Sequence, residues 1–341
     1  MKILGIETSC DETAVAIYDE NKGLLSNVVA SQIEIHKEWG GVFPELAARE
    51  HTKNILYVLD KSLKDAKISL KEIDAVAFTA APGLIVSLVI GVSAAKALAF
   101  SIDRPLIPVH HIEAHIFATF LEKKIEFPFV ALVVSGGHTE LYLVKDFEDY
   151  VYLGGTLDDA VGEAYDKVAR MLDLGYPGGP VIDRLSRQGT CSINLPRPLL
   201  KGKPEHKYNF SFSGLKAAVL RELEKQEHKK ADIARSFQEA VIEILVSKTL
   251  AAAKENKVNT IVVAGGVSAN SMLREVLTAK AEKEKVKVVF PPLNLCTDNA
   301  AMVAYTGYLR FKKGRTVSFD FAPIARIRMD KFIEILKDYN N

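Results

Sequence analysis

With 341 residues, 48% hydrophobic and 26% charged, the chain is an ordinary globular protein longer than a single core usually serves, so two lobes are expected. Its three cysteines, Cys10, Cys191 and Cys296, lie far apart with no CxxC, which excludes a disulfide framework or thiolate zinc site and fits a reducing compartment. The net charge of +1 names no polyanion partner, but residues 1–196 hold 18 Lys/Arg against 27 Asp/Glu and residues 197–341 hold 26 against 16, as a polyanion-binding surface or solvated helix faces would.

The N-terminus, MKILGIETSC, has neither a long apolar run nor a small-residue cleavage site, so no signal peptide is expected. Lys2–Ile6 reads as a strand, Glu7–Thr13 as a polar turn and Ala14–Tyr18 as the returning strand. A helix is expected from Pro44 to about Lys67, with Leu46, Ile55, Leu56, Leu59 and Leu63 on one face. Ala75–Ala95 carries no charge and resembles a membrane span, but Pro82-Gly83 cuts it. A strand (Ala75–Thr79), a tight turn and a fully buried helix (about Leu84–Phe100) explain it better. A short strand follows at Leu106–Val109.

The pattern then restarts. Phe129–Val134 is an apolar strand, Ser135–Thr139 a Gly-rich turn and Leu141–Val144 the return. The units MKILGIETSCDETAVAIYD and FVALVVSGGHTELYLVKD are alike enough to suggest a duplicated fold closing on a nucleotide. The stretch from about 190 to 231, rich in Lys, Pro and His, reads as a basic insertion leading into helices. A third apolar strand, Thr260–Ala264, enters GGVSAN and a helix near Met272–Lys285.

Val134, Ser135, Gly136, Gly137, His138 and Thr139 combine glycines that admit a phosphate with hydroxyl and imidazole donors; alone, such a turn is usually a plain hairpin, and its recurrence strengthens the phosphate reading. Similar turns occur at Thr8–Asp11 and Gly265–Asn270, and none matches a dinucleotide or P-loop motif. His111 and His115, at i and i+4 on a helix, project from one face and can share a cation, whereas His110 points about 100° away. The zinc-protease motif HExxH is not met, because Glu113 at i+2 lies about 200° around the helix from His111. A third ligand must come from elsewhere. Leu295–Ala300 carries Asp298 in a helix-capping signal, where capping by Asp298 or Thr297 is the plainer role. An N,N,O donor set suits Fe, Zn or Mn. Asp166 and Asp183 sit among apolar residues as helix-surface carboxylates or as ribose or substrate ligands.

Together GIETSCDETAVAI, FPELAAREH, HHIEAH, VSGGHTEL, LDDAVGEAYDKVAR, YPGGPVID, FSFSGLK, VAGGVSAN and CTDNAAM resemble the bacterial TsaD family of tRNA N6-adenosine threonylcarbamoyltransferases, over nearly the whole chain and in the family's order. The resemblance implies an α/β fold of the two-lobed actin/hexokinase/Hsp70 (ASKHA) kind, each lobe a ribonuclease H-like mixed sheet flanked by helices. The lobes are expected at 1–109, completed by helices at about 305–341, and at 110–304 with the metal and nucleotide motifs. It implies one divalent metal, Fe2+ or Zn2+ with Mn2+ or Mg2+ as substitutes in vitro, on His111, His115 and Asp298. Substrate contacts carry over to Ser9, Val134, Ser135, Gly136, Gly137, His138, Asp166, Gly179, Asp183 and Asn270, with Asp11 and Glu12 near the reacting group.

The implied reaction moves the threonylcarbamoyl group of threonylcarbamoyl-AMP to N6 of adenosine 37 in tRNAs reading codons that begin with A, in the cytoplasm and away from any membrane. Implied partners are TsaB-like and TsaE-like proteins, with a TsaC-type enzyme supplying the adenylate. Asp11 or Glu12 is the candidate base, and His138 the alternative polar catalyst. Lys201, Lys203, Lys207, Lys216, Lys229 and Lys230, with Arg326 and Arg328, are candidate tRNA contacts. An ASKHA-type small-molecule kinase and a non-catalytic ATP-binding module are the competing readings.

Overall fold

A computed structural model describes residues 1–201 and 203–339; Gly202, within the basic insertion, lies outside the described residues. In chain order the strands and helices are β1 (Lys2–Glu7), β2 (Glu12–Asp19), β3 (Gly23–Ser31), α1 (Ile33–Lys37), α2 (Pro44–Ala66), β4 (Ala75–Ala81), α3 (Ile85–Ile102), β5 (Leu106–His110) and α4 (His111–Ala118). They continue with β6 (Phe129–Val134), β7 (Thr139–Asp146), β8 (Asp149–Gly155), α5 (Val161–Met171), α6 (Gly178–Ser186), α7 (Ser213–Lys225) and α8 (Lys230–Glu255). The last are β9 (Thr260–Ala264), α9 (Ser271–Lys283), β10 (Lys287–Val289), α10 (Ala300–Lys312) and α11 (Met329–Tyr339).

The chain divides into two compact units, residues 1–124 with 297–341, and residues 125–296. The boundaries therefore lie at 124/125 and 296/297, not near 109/110 and 304/305. The physical reason is that α4 and α10 share the first unit's core, where Ala114, Ala118, Met302 and Val303 pack with Ile3, Ala75, Ala77, Ile107 and Val109. The histidine helix accordingly belongs to the first unit, not the second.

The first sheet has the order β3-β2-β1-β4-β5 and the second β8-β7-β6-β9-β10. In each, the first three strands form an antiparallel meander and the last two join in parallel, so the two sheets have one topology. β1, β6 and β9 are central and buried on both faces, which is why they read as continuous apolar runs.

Two glycines bring α10 down onto the first sheet. A Cβ on Gly5 would lie 2.5 Å from Ala304 N, and one on Gly307 would lie 2.4 Å from the Ala77 Cβ. Overpacking of this kind costs about 1–3 kcal/mol. The helix begins at Ala300, two residues after Asp298.

α3 departs from expectation. It is not fully buried: Ile85, Val86, Val89 and Phe100 are exposed, while Ser87, Leu88, Gly91, Val92, Ala95 and Ala99 face inward. It is long and apolar enough to cross a membrane, and 33% of it is buried in the fold.

Candidate metal centre and nucleotide-binding turn

The metal candidates come together as the helical spacing requires. β5 runs directly into α4, and His111 and His115 leave the first turns of that helix side by side, ring centroids 4.6 Å apart. Asp298 reaches them from the residue before the α10 cap: its Oδ1 lies 3.0 Å from His115 Nε2 and 3.5 Å from His111 Nε2. Capping of α10 falls to Asn299, whose side chain accepts from Met302 N at 3.2 Å, so neither Asp298 nor Thr297 fills that role. The three ligand atoms lie within 4.8 Å of one another. Two imidazole nitrogens and a carboxylate oxygen gathered this closely are a donor set suited to a transition metal. His115 Nδ1 is buried with no hydrogen-bond partner among the described residues, and its other nitrogen is the one turned to Asp298.

Glu7 completes this centre, and the sequence reading placed it in the turn without a role. It ends β1 fully buried, with Oε2 3.1 Å from His111 Nδ1 and 2.6 Å from Thr79 Oγ1, while Oε1 accepts from Ser9 N at 2.5 Å. A carboxylate only accepts, so His111 donates from Nδ1 and turns Nε2 to the ligand side. Burial opposes the charges on both groups, but attraction overcomes it. The Asp298 and Glu7 carboxylates push His111 up to about 9, and His111 holds Glu7 below its usual range. A carboxyl at the end of an apolar strand was the signal available for Glu7.

Glu113 faces away from this centre, as its position at i+2 requires. It pairs with Arg310 of α10, and both side chains are fully buried. His110 is likewise directed elsewhere, with Nε2 3.0 Å from Ile327 O.

The turn between β1 and β2 is shorter than expected, because Glu12 and Thr13 already belong to β2. Ser9 is buried, its Oγ 3.1 Å from His111 Nδ1, so the expected substrate contact lies against the metal centre. His51 braces the turn from below: its Nε2 is 3.0 Å from Cys10 O and its Nδ1 2.8 Å from Thr13 Oγ1. Burial lowers the His51 pKa, and the neutral ring donates to the carbonyl and accepts from the hydroxyl. Glu12 is pushed well above the usual carboxylate range by burial and by the neighbouring Asp11 and Asp298 charges.

In the second unit, Ser135–His138 closes the β6–β7 hairpin, with Ser135 N donating to His138 O at 2.8 Å and His138 N to Ser135 Oγ at 3.1 Å. Val134 is buried, whereas Gly136 and Gly137 are exposed with open space above their α-carbons. Gly162 N donates to Ser135 O at 3.1 Å, which anchors the turn to α5. Asp166 Oδ1 accepts from Gly178 N at 2.7 Å and so caps α6, on which Gly179 and Asp183 lie. Asn270 caps α9, its side chain accepting from Leu273 N at 2.9 Å. Asp183 accepts from Ser271 Oγ at 2.8 Å, so these two candidates are brought together.

Of the basic candidates, Lys201, Lys203, Lys207, Lys229, Lys230, Arg326 and Arg328 are exposed, and Lys203 lies 3.8 Å from Glu205. Lys216 is mostly buried in an ion pair with Asp159, and Lys207 pairs with Glu255 at 2.7 Å. Lys230 donates to Leu172 O at 2.7 Å and Arg328 pairs with Asp330 at 2.8 Å.

Comparison with solved structures identifies the fold. A full-length HypF in its phosphate- and nucleotide-bound form superposes over 92% of this chain and 46% of that chain, with TM-score 0.63 and 13% identity. An activator of the 2-hydroxyisocaproyl-CoA dehydratase from Clostridium difficile with bound ADPNP covers 92% of this chain and 97% of that one, with TM-score 0.55 and 13% identity. These likenesses, with the duplicated sheet, make the fold ASKHA-type. Among curated relatives, the tRNA N6-adenosine threonylcarbamoyltransferase of Persephonella marina is 66% identical over 99% of this chain and 98% of its own length. That of Sulfurihydrogenibium sp. is 64% identical over 100% of both chains. The family model described as "TsaD: tRNA N6-adenosine threonylcarbamoyltransferase" matches residues 23–305. The chain belongs to the TsaD family of tRNA N6-adenosine threonylcarbamoyltransferases.

Proposed function

We propose that this protein transfers the threonylcarbamoyl group from threonylcarbamoyl-AMP to N6 of adenosine 37 in tRNAs reading codons that begin with A, releasing AMP. The observation that carries the reading is the convergence of His111, His115 and Asp298 beside the Ser9–Glu12 turn, in a chain of this family. Fe2+ or Zn2+ suits two imidazoles and one carboxylate, and when bound there supplies positive charge for an anionic leaving group.

The chain's own groups supply the rest. A carbamoyl–phosphate mixed anhydride already carries a good leaving group, so no protein nucleophile is needed. The acceptor is an aromatic amine that must lose a proton as it attacks. Asp11 or Glu12 is the candidate for that proton; burial and neighbouring charges raise the Glu12 pKa, and a carboxyl pushed above its usual range is a stronger base. On the second unit, Ser135, Gly136, Gly137 and His138 are the groups to receive the phosphate, through exposed backbone at the two glycines. Asp166, Gly179, Asp183 and Asn270 are the candidates for the nucleoside. Lys201, Lys203 and Lys229, with Arg326, are exposed cations proposed to meet tRNA phosphates.

The partners proposed are TsaB-like and TsaE-like proteins, with a TsaC-type enzyme as adenylate supplier and the cytoplasm as the setting. Single-turnover transfer from preformed adenylate, with those partners present, tests the base: Glu12→Gln or Asp11→Asn slows the step. Wild-type rates in both variants would remove the base assignment.

A further inference from the structure

Gln238 lies in the middle of α8 with no accessible surface, and Phe237, Ala240, Val241, Ile244 and Leu245 around it are buried. Its amide uses its full hydrogen-bonding capacity. Nε2 donates to Asp183 Oδ1 at 3.0 Å and to Ser186 Oγ at 2.9 Å. Oε1 accepts from Asn270 Nδ2 at 2.9 Å and from Tyr165 OH at 3.4 Å. One amide therefore joins α5, α6, α8 and the residue that caps α9.

The orientation of this amide is forced. A carboxylate needs a donor opposite it, and an amino group and a hydroxyl need an acceptor. The far sides of the two partners are also held. Asn270 Oδ1 takes Leu273 N at 2.9 Å, and Asp183 takes Ser271 Oγ at 2.8 Å and Ser271 N at 3.2 Å. Neither Asp183 nor Asn270 can turn without leaving a buried polar group unpaired. Asp183 and Asn270, far apart in sequence, are thus locked to a single side chain between them in space.

We propose that Gln238 is a positioning residue for the nucleotide subsite, holding Asp183 and Asn270 in fixed rotamers before a ligand arrives. The proposal rests on the assignment of those two side chains to the nucleoside. Their affinity for ligand then includes no ordering penalty, as preorganisation requires.

The test is calorimetric titration with AMP, the leaving group of the proposed reaction, alongside thermal unfolding of each variant. Gln238→Glu sets a carboxylate against Asp183, and Gln238→Leu removes the amide. Each weakens AMP binding about tenfold or more, the equivalent of one lost hydrogen bond to a charged group. Ser186→Ala removes another partner of the same amide on the same helix, yet leaves AMP affinity at the wild-type value while lowering the melting temperature. In the Asp183→Asn background, Gln238→Glu has little further effect, because the amide introduced at 183 donates to the carboxylate introduced at 238. Wild-type AMP affinity in folded Gln238→Glu and Gln238→Leu would overturn the proposal, as would a Ser186→Ala loss equal to theirs. If Asp183→Ala and Asn270→Ala both bind AMP normally, the nucleoside assignment itself fails and the proposal falls with it.

Discussion

Glu113 and Arg310 form an ion pair from which both side chains are wholly excluded from solvent, with the guanidinium carbon 5.5 Å from the centre of the Phe332 ring. The pair joins α4, which carries His111 and His115, to α10, which Asn299 caps just after Asp298. It therefore ties together the two elements that bring the metal candidates to one point.

Removing one partner leaves an uncompensated buried charge, which costs about 3–5 kcal/mol. Glu113→Ala and Arg310→Met should each lose stability of that order in urea unfolding. The double replacement Glu113→Met with Arg310→Met should be closer to wild type than either single change. Single variants within experimental error of wild type would show that the pair contributes nothing.

The metal centre should take up its ion with release of a proton. In the metal-free protein His111 is pushed up to about 9, so it is protonated at neutral pH, and a ligating imidazole must be neutral. Zn2+ affinity should rise steadily from pH 6.5 towards 9, and calorimetry in buffers of different ionisation enthalpy should show the proton leaving. The folded-state pKa lies above the unfolded one. The stabilisation His111 gives the metal-free protein is thus complete below the ordinary histidine pKa and is lost as pH rises through about 9.

Glu7 orients His111, so Glu7→Gln should weaken Zn2+ or Co2+ binding by about 10–100-fold, the range for losing a carboxylate behind a metal-bound histidine. Direct metal titration reads this without an activity assay. Unchanged affinity would mean that Ser9 and the helix alone orient the ring.

Glu12→Gln should slow transfer yet stabilise the protein at neutral pH. Burial and the Asp11 and Asp298 charges raise the Glu12 pKa in the fold, so ionising it works against folding at pH above the ordinary carboxylate value. Urea unfolding at pH 7.5 and pH 4 should show the variant's advantage at the higher pH only.

The central strands and the histidine pair were legible because each depends on local pattern alone. β1, β6 and β9 are doubly buried and read as apolar runs, and a spacing of four places His111 and His115 together on any helix. Of the edge strands, β5 was legible, and β3, β8 and β10 were not. β3 alternates irregularly around Ser26 and Asn27, and β10 has three residues. Thr297 and Asp298 were the expected caps, but Asn299 carries the same capping chemistry, and only the backbone decides among them. Glu7 and Gln238 escaped because their partners lie far away in the chain, where no local pattern points to them.

The most direct measurement is nucleoside mass spectrometry of tRNA after incubation with this protein, threonylcarbamoyl-AMP and the TsaB-like and TsaE-like partners. The expected result is N6-threonylcarbamoyladenosine at position 37, formed with wild type and lost with Asp298→Ala. Unmodified adenosine with the wild-type protein in that complete mixture would contradict the assignment.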